Sequence, residues 1–400
     1  MSGVVVIGAG QAGASLVAKL RSEGYEGPIT LIGEEPVPPY QRPPLSKKYL
    51  LGEMALERLY LRPESYYAET GIDLRLGLRV TGIDRAAREV VMGEARLSYE
   101  HLVLTTGSRP RHLPAAIGGD LGGVHVVRTL ADVDAMAPGF RPGARVLIVG
   151  GGYIGLEAAA VAASRGMQVV LVEMAPRILQ RVAAKETSDY FRALHGRHGV
   201  DIREGVGLER LLGDDQVSGA RLSDGTELAV DMVIVGVGIV PDTALAEAAG
   251  LAIDNGIAVD AQGRTSDPAI WAAGDCASFP HGEGRLRLES VPNAIDMADC
   301  VAGNILGRGV DYVPKPWFWS DQYDVKLQIT GLSTGYDRIV TRDGGAAVSF
   351  WYYRGDQLLA VDAMNDPRAY MVGKRLIDAG KSADPAVVAD AGADLKVLLG

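Results

Sequence analysis

Two short glycine-rich segments are the residues of this sequence whose spacing most directly implies chemistry. "GAGQAG" follows the apolar run "GVVVI" at residue 8, and "GGGYIG" follows "RVLIV" at residue 150. In the pattern G-x-G-x-x-G between a strand and a helix, the first glycine makes a tight turn, the second lets the backbone approach a pyrophosphate, and the third lets the helix pack closely. The helix N-terminus then attracts the phosphates, so each segment predicts one dinucleotide site. The spaced glycines are Gly8, Gly10, Gly13, Gly150, Gly152 and Gly155.

Carboxylates follow each segment at the end of the next apolar strand. Glu34 and Glu35 follow "ITLIG", and Glu173 ends "QVVLVE". A carboxylate about 20 residues beyond the glycines accepts a hydrogen bond from an adenosine ribose hydroxyl. It also repels a 2′-phosphate, and no arginine adjoins Glu173, the nearest being Arg177, so the second site is predicted to prefer NADH to NADPH. At the first site, Glu34 and Glu35 are both candidates.

Strand and turn signals around the two segments predict an α/β protein with two doubly wound dinucleotide-binding domains and a C-terminal α+β domain. Strands ending in glycine turns recur in "LVLTTGSRPR", "MVIVGVGIVPD" and "TSDPAIWAAGDCA". The first domain is therefore expected to be interrupted by the second and to resume near residue 240. After about residue 313, strands such as "PWFWSDQYDVKLQITGL" and a helix near 366–381 predict the α+β domain. The predicted domains are 1–108 with 240–312, 109–239, and 313–400.

Composition and charge narrow the class of partners. Of the 400 residues, 47% are hydrophobic, and the formal net charge of −10 argues against nucleic acid as the partner. The longest apolar stretch, residues 146–163, contains three consecutive glycines and Glu157, so a buried strand and helix are expected there rather than a membrane span. No signal-peptide pattern opens the sequence, and a cytoplasmic protein without membrane contact is expected.

The cysteine and histidine content argues against several redox and metal centres. The two cysteines, Cys276 and Cys300, form no C-x-x-C pair, so a C-x-x-C dithiol, a zinc ribbon and an iron–sulfur cluster are not expected. His195 and His198 lie three residues apart in a helical stretch, where a charged surface face explains them better than a metal site. No resident metal is expected.

Five further segments give the sequence a specific resemblance to a known family. They are "RPPLSK" (42–47), "GGGYIGLE" (150–157), "GDCA" (274–277), "ESVPNA" (289–294) and "PWFWSDQY" (316–323). With them, essentially the whole sequence resembles the FAD-dependent, NADH-using ferredoxin reductases of the putidaredoxin reductase type, whose fold is glutathione-reductase-like. The last three segments together are much more specific than the glycine motifs.

The resemblance implies two sets of cofactor contacts. FAD would be held by Gly8, Gly10, Ala12, Gly13, Glu34, Arg42, Lys47, Val80, Arg128, Asp275, Val291 and Trp319. NADH would be held by Gly150, Gly152, Tyr153, Ile154, Gly155, Glu173 and Gly238. Glu35 remains the rival of Glu34 at the FAD ribose. Trp319 is expected at the mouth of the flavin site, although one of Trp317 and Trp319 could instead stack over the nicotinamide or contact the ferredoxin, or both could lie in the core.

Lys47 and Glu157 are the predicted catalytic pair. A lysine near the flavin N5 stabilises the negative charge that develops on the reduced ring. In a semi-buried site such a lysine is costly unless a carboxylate faces it, and Glu157 is expected on the first turn of the NADH helix. A Lys–Glu pair of this kind occurs in related flavin disulfide reductases. A purely structural ion pair between domains is the alternative.

The predicted enzyme class depends on the acceptor to which the reduced flavin passes its electrons. Where similar oxidases and peroxidases carry a redox cysteine, this sequence reads "YQRPPLSKK" with Arg42, so single electrons are expected to pass to an external carrier. The resemblance implies a [2Fe-2S] ferredoxin that serves a cytochrome P450 or a ring-hydroxylating dioxygenase. Rubredoxin, a quinone or another small acceptor is the alternative, and a nucleotide-sensing interaction protein is the alternative from another class.

A ferredoxin of this kind is acidic, so docking on this acidic chain requires a local basic patch. The candidate residues are Arg285, Arg287, Lys315, Lys326 and Arg338. Isolated solvated charges explain any one of them equally well. The chain is expected to be a monomer or a weak dimer.

Overall fold

Short strands and helices alternate through both glycine motifs in the computed structural model. It describes residues 3–399, so residues 1, 2 and 400, which the predicted domain boundaries include, lie outside the described residues. The strands, in chain order, are β1 (Gly3–Ile7), β2 (Ile29–Ile32), β3 (Ile72–Arg75), β4 (Gly82–Asp84), β5 (Glu89–Met92), β6 (Ala95–Leu104), β7 (Ser108–Pro110), β8 (Val124–His125), β9 (Arg145–Val149), β10 (Gln168–Glu173), β11 (Asp201–Glu204), β12 (Leu208–Gly213), β13 (Val217–Leu222), β14 (Glu227–Ala229), β15 (Met232–Val235), β16 (Ile239–Pro241), β17 (Ile257–Ala258), β18 (Ile270–Ala272), β19 (Ala277–His281), β20 (Gly284–Leu286), β21 (Trp317–Gln322), β22 (Val325–Gly331), β23 (Arg338–Asp343), β24 (Val348–Arg354) and β25 (Gln357–Met364).

The helices complete the list of elements. The α-helices, in chain order, are α1 (Gln11–Ser22), α2 (Glu64–Glu69), α3 (Leu130–Met136), α4 (Tyr153–Ser164), α5 (Lys185–Arg197), α6 (Ala244–Ala248), α7 (Val291–Ile305), α8 (Pro367–Asp378) and α9 (Pro385–Ala389). Short 3-10 turns lie at Pro43–Ser46, Leu56–Arg58, Ala115–Ile117, Ala137–Gly139 and Leu395–Leu399.

The first of two compact units is built on a mostly parallel sheet. It comprises the described residues of Met1–Arg42 together with Ala55–Arg109 and Ile239–Pro316. The sheet order is β3-β2-β1-β6-β5-β4, with β18 also pairing with β6. β1 is buried along its whole length, as expected for a parallel strand covered on both faces. α1 follows the first glycine motif, buries one apolar face and packs against α7.

The second unit contains a fully parallel sheet around the second glycine motif. This unit comprises Pro43–Met54, Pro110–Gly238 and the described residues of Trp317–Gly400. The sheet order is β11-β10-β9-β15-β8, so β9, which leads into the glycine motif, is central. α4 is apolar on nearly every side and is buried from Gly155 to Ala162. It packs against β9 and β10, and also against β21 and the 3-10 turn Pro43–Ser46.

The same unit carries an antiparallel sheet formed by the end of the chain. Its order is β21-β22-β25-β24-β23. α8 packs against β22 and β25, and α9 packs against β23. The resulting core contains Trp351, Tyr353 and Val361. The mostly parallel sheet, the fully parallel sheet and this antiparallel sheet with its helices match the fold class that the sequence predicts. The three-domain division stays a prediction, because the second and third predicted domains fall within one compact unit.

The glycines at the start of each motif are required by backbone geometry. Gly8 has φ +112° and Gly150 has φ +107°, values that residues with a side chain rarely adopt. The third glycines are required by packing. A Cβ on Gly13 would lie 2.1 Å from the Gly8 carbonyl oxygen, and a Cβ on Gly155 would lie 2.1 Å from that of Gly150. The roles that the sequence assigns to these glycines in turning the chain and packing the helix are therefore present in both units.

Replacement of Gly155 with alanine is expected to lower the stability of the protein. The new methyl group would clash with backbone that cannot move away, so we expect a loss of about 1–3 kcal/mol and a lower melting temperature. Gly152→Ala is the matched control, because a Cβ there meets no atom of residues 3–399 within 4 Å. Thermal denaturation of both variants checks this, and equal melting temperatures would contradict the packing role of Gly155.

Candidate active site

Glu157 is a buried carboxylate in an apolar helix. The side chain is 3% exposed, and its neighbours on α4, Leu156 and Ala158, are fully buried. Because α4 begins at Tyr153, Glu157 is the fifth residue of the helix. The prediction that it lies on the first turn is therefore wrong, since Gly152 serves as the N-cap. A charge in such surroundings is costly unless donors meet it.

Three donors meet the two oxygens of this carboxylate. Lys47 Nζ lies 2.7 Å from Oε2 of Glu157, and the hydroxyl of Ser46 donates to the same oxygen at 2.8 Å. The hydroxyl of Ser320 donates to Oε1 at 2.7 Å. Lys47 itself is 17% exposed. The structure thus brings together the lysine and the glutamate that the sequence pairs, while their catalytic role stays a prediction.

The hydrogen bonds continue from Ser320 to a buried histidine. Gln322 donates from Nε2 to the Ser320 hydroxyl at 3.1 Å, and its Oε1 lies 2.8 Å from His195 Nε2. The Tyr323 hydroxyl lies 3.2 Å from His195 Nδ1. His195 is fully buried, so the prediction of a charged surface face is wrong for this residue. Burial lowers the pKa of His195 to about 4.

Sequence reasoning missed Ser46, Ser320, Gln322 and His195 as parts of this cluster. A signal for two of them exists, because side chains two residues apart on a strand share a face. Ser320 and Gln322 therefore share one face of β21, on which both are completely buried. The partners of that face lie on α4 and α5, which the pattern of the strand does not reveal.

The first glycine turn has the form that an anionic dinucleotide requires. A Cβ on Gly10 would meet no atom of the described residues within 4 Å, so the backbone is open to close approach there. Gly10 is also the N-cap of α1, and no side chain from residues 3–399 caps that helix end. Ala12 and Gly13 are buried in its first turn. Uncapped N–H groups at an open turn fit the pyrophosphate of FAD.

The two candidate acids after β2 differ in their surroundings. The Glu35 carboxylate accepts hydrogen bonds from the Tyr40 hydroxyl at 2.6 Å and from Arg42 at 2.7 Å. Glu34 has 58% of its side chain exposed and lies 3.6 Å from Arg79. With 58% of the Glu34 side chain exposed against 28% of that of Glu35, Glu34 is the more accessible of the two to a ribose hydroxyl. Arg42, predicted to lie along the flavin, is the residue that engages Glu35.

Three other predicted FAD residues lie in the first unit. Asp275 follows Gly274, which has φ +81°, and accepts a hydrogen bond from the Ser108 hydroxyl at 2.8 Å. Val291 is the first residue of α7, the helix that packs against α1. Val80 is half-buried in the loop after β3 and packs against the core of this unit.

Arg128 and Trp319 belong to the second unit. Arg128 is half-buried before α3, and its backbone N–H donates to Asp132 at 3.1 Å. Trp319 is half-buried and stacks on Trp317, with ring centroids 5.5 Å apart. The alternation of side chains along β21 places Trp319 on the face opposite to Ser320. Trp319 therefore lies on the other side of this strand from the cluster around Glu157.

The second glycine turn has the same open form and an acid held beside it. Within the part of the chain that the structure describes, a Cβ on Gly152, the N-cap of α4, would meet no atom within 4 Å, and no side chain caps this helix end. The Glu173 carboxylate accepts hydrogen bonds from the backbone N–H of Gly151 at 2.7 Å and of Ala175 at 2.8 Å. These bonds fix a negative charge at the edge of the turn, where an adenosine ribose would lie.

The remaining predicted NADH residues surround the same turn or the end of β15. Ile154 is 43% exposed on the first turn of α4. The Tyr153 ring lies 4.9 Å from that of Phe318, and its buried hydroxyl has no hydrogen-bond partner among residues 3–399. Burial raises the pKa of this hydroxyl. Gly238 has φ +99°, and a Cβ there would lie 3.7 Å from Arg181 Nη1.

The cysteines have the character of structural thiols. Cys276 is fully buried and Cys300 is half-buried, and both are free. Burial raises the pKa of the Cys276 thiol, which makes it a poor nucleophile. Within residues 3–399, no group of three or more His, Cys, Asp or Glu side chains is arranged to hold a metal ion. No helix in that range is both long enough and apolar enough to cross a membrane.

The five cations of the predicted basic patch differ in their exposure to solvent and in their partners. Arg287 pairs with Glu289 at 2.6 Å, and Arg285 is half-buried and bonded to the Val259 carbonyl oxygen. Lys315 and Lys326 are exposed. Arg338 is exposed too, with its guanidinium over the Tyr353 ring.

Comparison with known proteins gives matches over the full length of the chain. Residues 2–298 match the family described as pyridine nucleotide-disulphide oxidoreductase, and residues 317–399 match the family described as reductase C-terminal. Putidaredoxin reductase CamA of Pseudomonas putida is 42% identical, over 99% of this chain and 96% of the relative. The ferredoxin–NAD(+) reductase component of the p-cumate 2,3-dioxygenase system of the same species is 39% identical, over 98% and 96%.

A solved structure is similar to the same extent. The covalent complex of putidaredoxin reductase with putidaredoxin contains a chain that is 40% identical to this one and superposes with a TM-score of 0.96. The match covers 100% of this chain and 98% of that chain.

The buried histidine predicts a specific loss of stability in acid. The fold disfavours protonation of His195, so its contribution to stability is present above its ordinary pKa of 6.5 and is lost as the pH falls towards about 4. We therefore expect the melting temperature of the wild type to fall more than that of His195→Gln between pH 7 and pH 4.5. His112→Gln, which removes an exposed imidazole from the same unit, is the control. A difference between wild type and His195→Gln that stays constant with pH would contradict this account.

Proposed function

Since this chain belongs to the pyridine nucleotide-disulphide oxidoreductase family, we propose that it takes hydride from NADH and delivers single electrons to a [2Fe-2S] ferredoxin. The chain is an oxidoreductase that uses FAD and NAD(P)H, so the predicted enzyme class and cofactor types are confirmed by its relatives. Its relatives include ferredoxin reductases of dioxygenase systems, which favours a ferredoxin over rubredoxin or a quinone as the acceptor. The ferredoxin in turn would serve a cytochrome P450 or a ring-hydroxylating dioxygenase.

The observation that carries the proposal is the presence of two open glycine turns in one chain. At Gly10 and at Gly152, a helix N-terminus without a side-chain cap lies beside open space, because no atom of the described residues lies within 4 Å of an added Cβ. One turn suits a resident FAD and the other an exchanging NADH. The chemistry that FAD supplies when bound is the conversion of hydride transfer into single-electron transfer. No C-x-x-C pair is present in the sequence to take the electron pair instead.

Each predicted contact has a physical task in this proposal. Gly10 and the first turn of α1 bind the FAD pyrophosphate, and Glu34 accepts a ribose hydroxyl. Asp275 binds the ribityl chain, and Lys47 stabilises negative charge on the reduced ring. The residues proposed to line the FAD site besides these are Gly8, Ala12, Gly13, Arg42, Val80, Arg128, Val291 and Trp319. The residues proposed for NADH are Gly150, Gly152, Tyr153, Ile154, Gly155, Glu173 and Gly238.

The proposed domain boundaries, docking surface and cellular location accompany the assignment of the two sites to FAD and NADH. We assign residues 1–108 with 240–312 to FAD, 109–239 to NADH and 313–400 to the C-terminal α+β domain. We assign ferredoxin docking to exposed cations, with Lys315, Lys326 and Arg338 the more available ones. A cytoplasmic location fits two free thiols, which a reducing compartment maintains.

Rapid mixing of the FAD-loaded protein with reduced nicotinamides tests both ends of the proposed reaction. We expect NADH to bleach the flavin faster than NADPH does, and the reduced protein then to reduce a [2Fe-2S] ferredoxin such as putidaredoxin. Rubredoxin and menadione serve as rival acceptors in parallel. Bleaching followed by faster turnover of either rival than of any [2Fe-2S] protein would overturn the ferredoxin assignment. If neither NADH nor NADPH bleaches the flavin, the assignment of a nicotinamide site is wrong.

Replacement of Glu173 with glutamine tests the choice of nicotinamide separately. The amide retains an acceptor for the ribose hydroxyl but removes the charge that opposes a 2′-phosphate. We expect the ratio of kcat/KM for NADH to that for NADPH to fall about tenfold. Glu209→Gln removes an exposed carboxylate from the same unit and should leave the ratio unchanged. If Glu173→Gln behaves like this control, the carboxylate does not set the preference.

A further inference from the structure

We propose that Ser320 and Gln322 are positioning residues that, together with Ser46, hold the Glu157 carboxylate in one orientation towards Lys47. The inference rests on the proposed function, because it assigns these residues to the Lys47–Glu157 pair of that reaction. It names groups from the antiparallel sheet and from α5 as parts of the active-site machinery.

The carboxylate is held from two sides. Lys47 and Ser46 both donate to Oε2, at 2.7 and 2.8 Å, and Ser320 alone of the three donates to Oε1, at 2.7 Å. Hydrogen bonds to a charged acceptor are stronger than neutral ones and are strongly directional. Loss of the Ser320 hydroxyl would leave Oε1 without this donor, and the carboxylate could then turn about its own axis. The position of the Lys47 ammonium depends on that orientation.

Gln322 fixes the direction of the Ser320 hydroxyl. Ser320 has one hydrogen to give and donates it to Glu157, so its oxygen accepts from the Gln322 amide at 3.1 Å. A flipped Gln322 amide would place its oxygen against that of Ser320 with no hydrogen between them. The amide is held in the observed sense because its own oxygen lies 2.8 Å from His195 Nε2.

His195 completes the ordering of donors. To donate from Nε2, the imidazole uses Nδ1 as an acceptor, and the Tyr323 hydroxyl lies 3.2 Å from that atom. Burial lowers the pKa of His195 to about 4, so the ring is neutral near pH 7 and retains this acceptor. Every donor in the series therefore points the same way, from Tyr323 through His195, Gln322 and Ser320 to Glu157.

The burial of this hydrogen-bonded series, which runs from Tyr323 to Glu157, is poorly explained by a contribution to stability alone. Ser320 and Gln322 are both 0% exposed, and they hydrogen-bond to Glu157 of α4 and His195 of α5 respectively. Buried polar side chains at such positions are costly unless fully paired, and apolar residues of similar size often serve as well for stability. Here the hydrogen bonds end on the Glu157 carboxylate that faces Lys47. The side chains of β21 therefore set the orientation of the Lys47–Glu157 ion pair.

The test uses the FAD-loaded protein and follows flavin reduction by NADH in single turnovers. We expect Ser320→Ala to slow reduction about tenfold, with little change in the NADH concentration at half-maximal rate, because orientation is lost while binding residues remain. Gln322→Leu should slow it about threefold and should add nothing further in the Ser320→Ala background. Ser320→Thr retains a hydroxyl and should restore a rate near that of the wild type. Ser46→Ala replaces Ser320→Ala in the test if the latter does not fold.

Ser349→Ala is the matched control. Ser349 is also a fully buried serine of the antiparallel sheet, bonded to Asp366 and Trp351 and outside the series. We expect this variant to lose stability without losing the rate of flavin reduction. A second readout is the ¹⁵N spectrum of histidine-labelled protein, which should show the Nε2–H tautomer of His195 in the wild type and a shift of those signals in Gln322→Leu.

The outcomes separate this inference from the proposed function. A wild type that NADH does not reduce contradicts the proposed function itself. A wild type that is reduced, with Ser320→Ala as fast as Ser349→Ala, overturns the positioning role and leaves the proposed function intact. An Nδ1–H tautomer at His195 would overturn the ordering of donors.

Discussion

The second unit is organised by the requirement that a carboxylate buried in an apolar helix must be met by donors. Glu157 is the only charged residue between Tyr153 and Ser164, on a helix that packs on nearly every side. Its partners come from two places far apart in sequence: Ser46 with the adjacent Lys47, and Ser320 of β21. The chain segment 43–54 and the antiparallel sheet are thereby both tied to the helix of the second glycine motif.

The antiparallel sheet is joined to α5 by polar contacts at both ends of that helix. Near its C-terminal end His195 meets Gln322, and near its N-terminal end Thr187 donates to Asp362 at 2.7 Å. Burial raises the pKa of Asp362 to about 6, and the Tyr352 hydroxyl also donates to it. Because buried polar groups need partners of defined direction, such contacts set the register of a helix on a sheet more sharply than apolar packing does.

The two glycine turns are built alike, yet the acids that follow them are placed differently. In the first sheet Ile7 pairs with Ile32, and in the second Val149 pairs with Val172. The residue that follows the paired position is Gly33 in one case and Glu173 in the other. The first acid therefore comes one residue later, after a glycine whose Cβ would lie 2.7 Å from that of Ala9. This offset explains why Glu34 is exposed, while Glu173 is held by backbone N–H groups.

The sequence by itself determined the features that depend on neighbours along the chain. Strand, glycine turn and helix form a local unit, so both dinucleotide turns and the fold class were readable from spacing. The Lys47–Glu157 pair, 110 residues apart, was predicted with the help of the family resemblance, which places Lys47 along the flavin, together with the need for a carboxylate to face a semi-buried lysine. Only the tertiary structure decided that His195 is buried, that Ser320 and Gln322 serve Glu157, and that Glu35 is occupied by Arg42. Residues separated by more than 100 positions meet through packing, and a strand's alternation reveals which residues share a face without revealing what covers it.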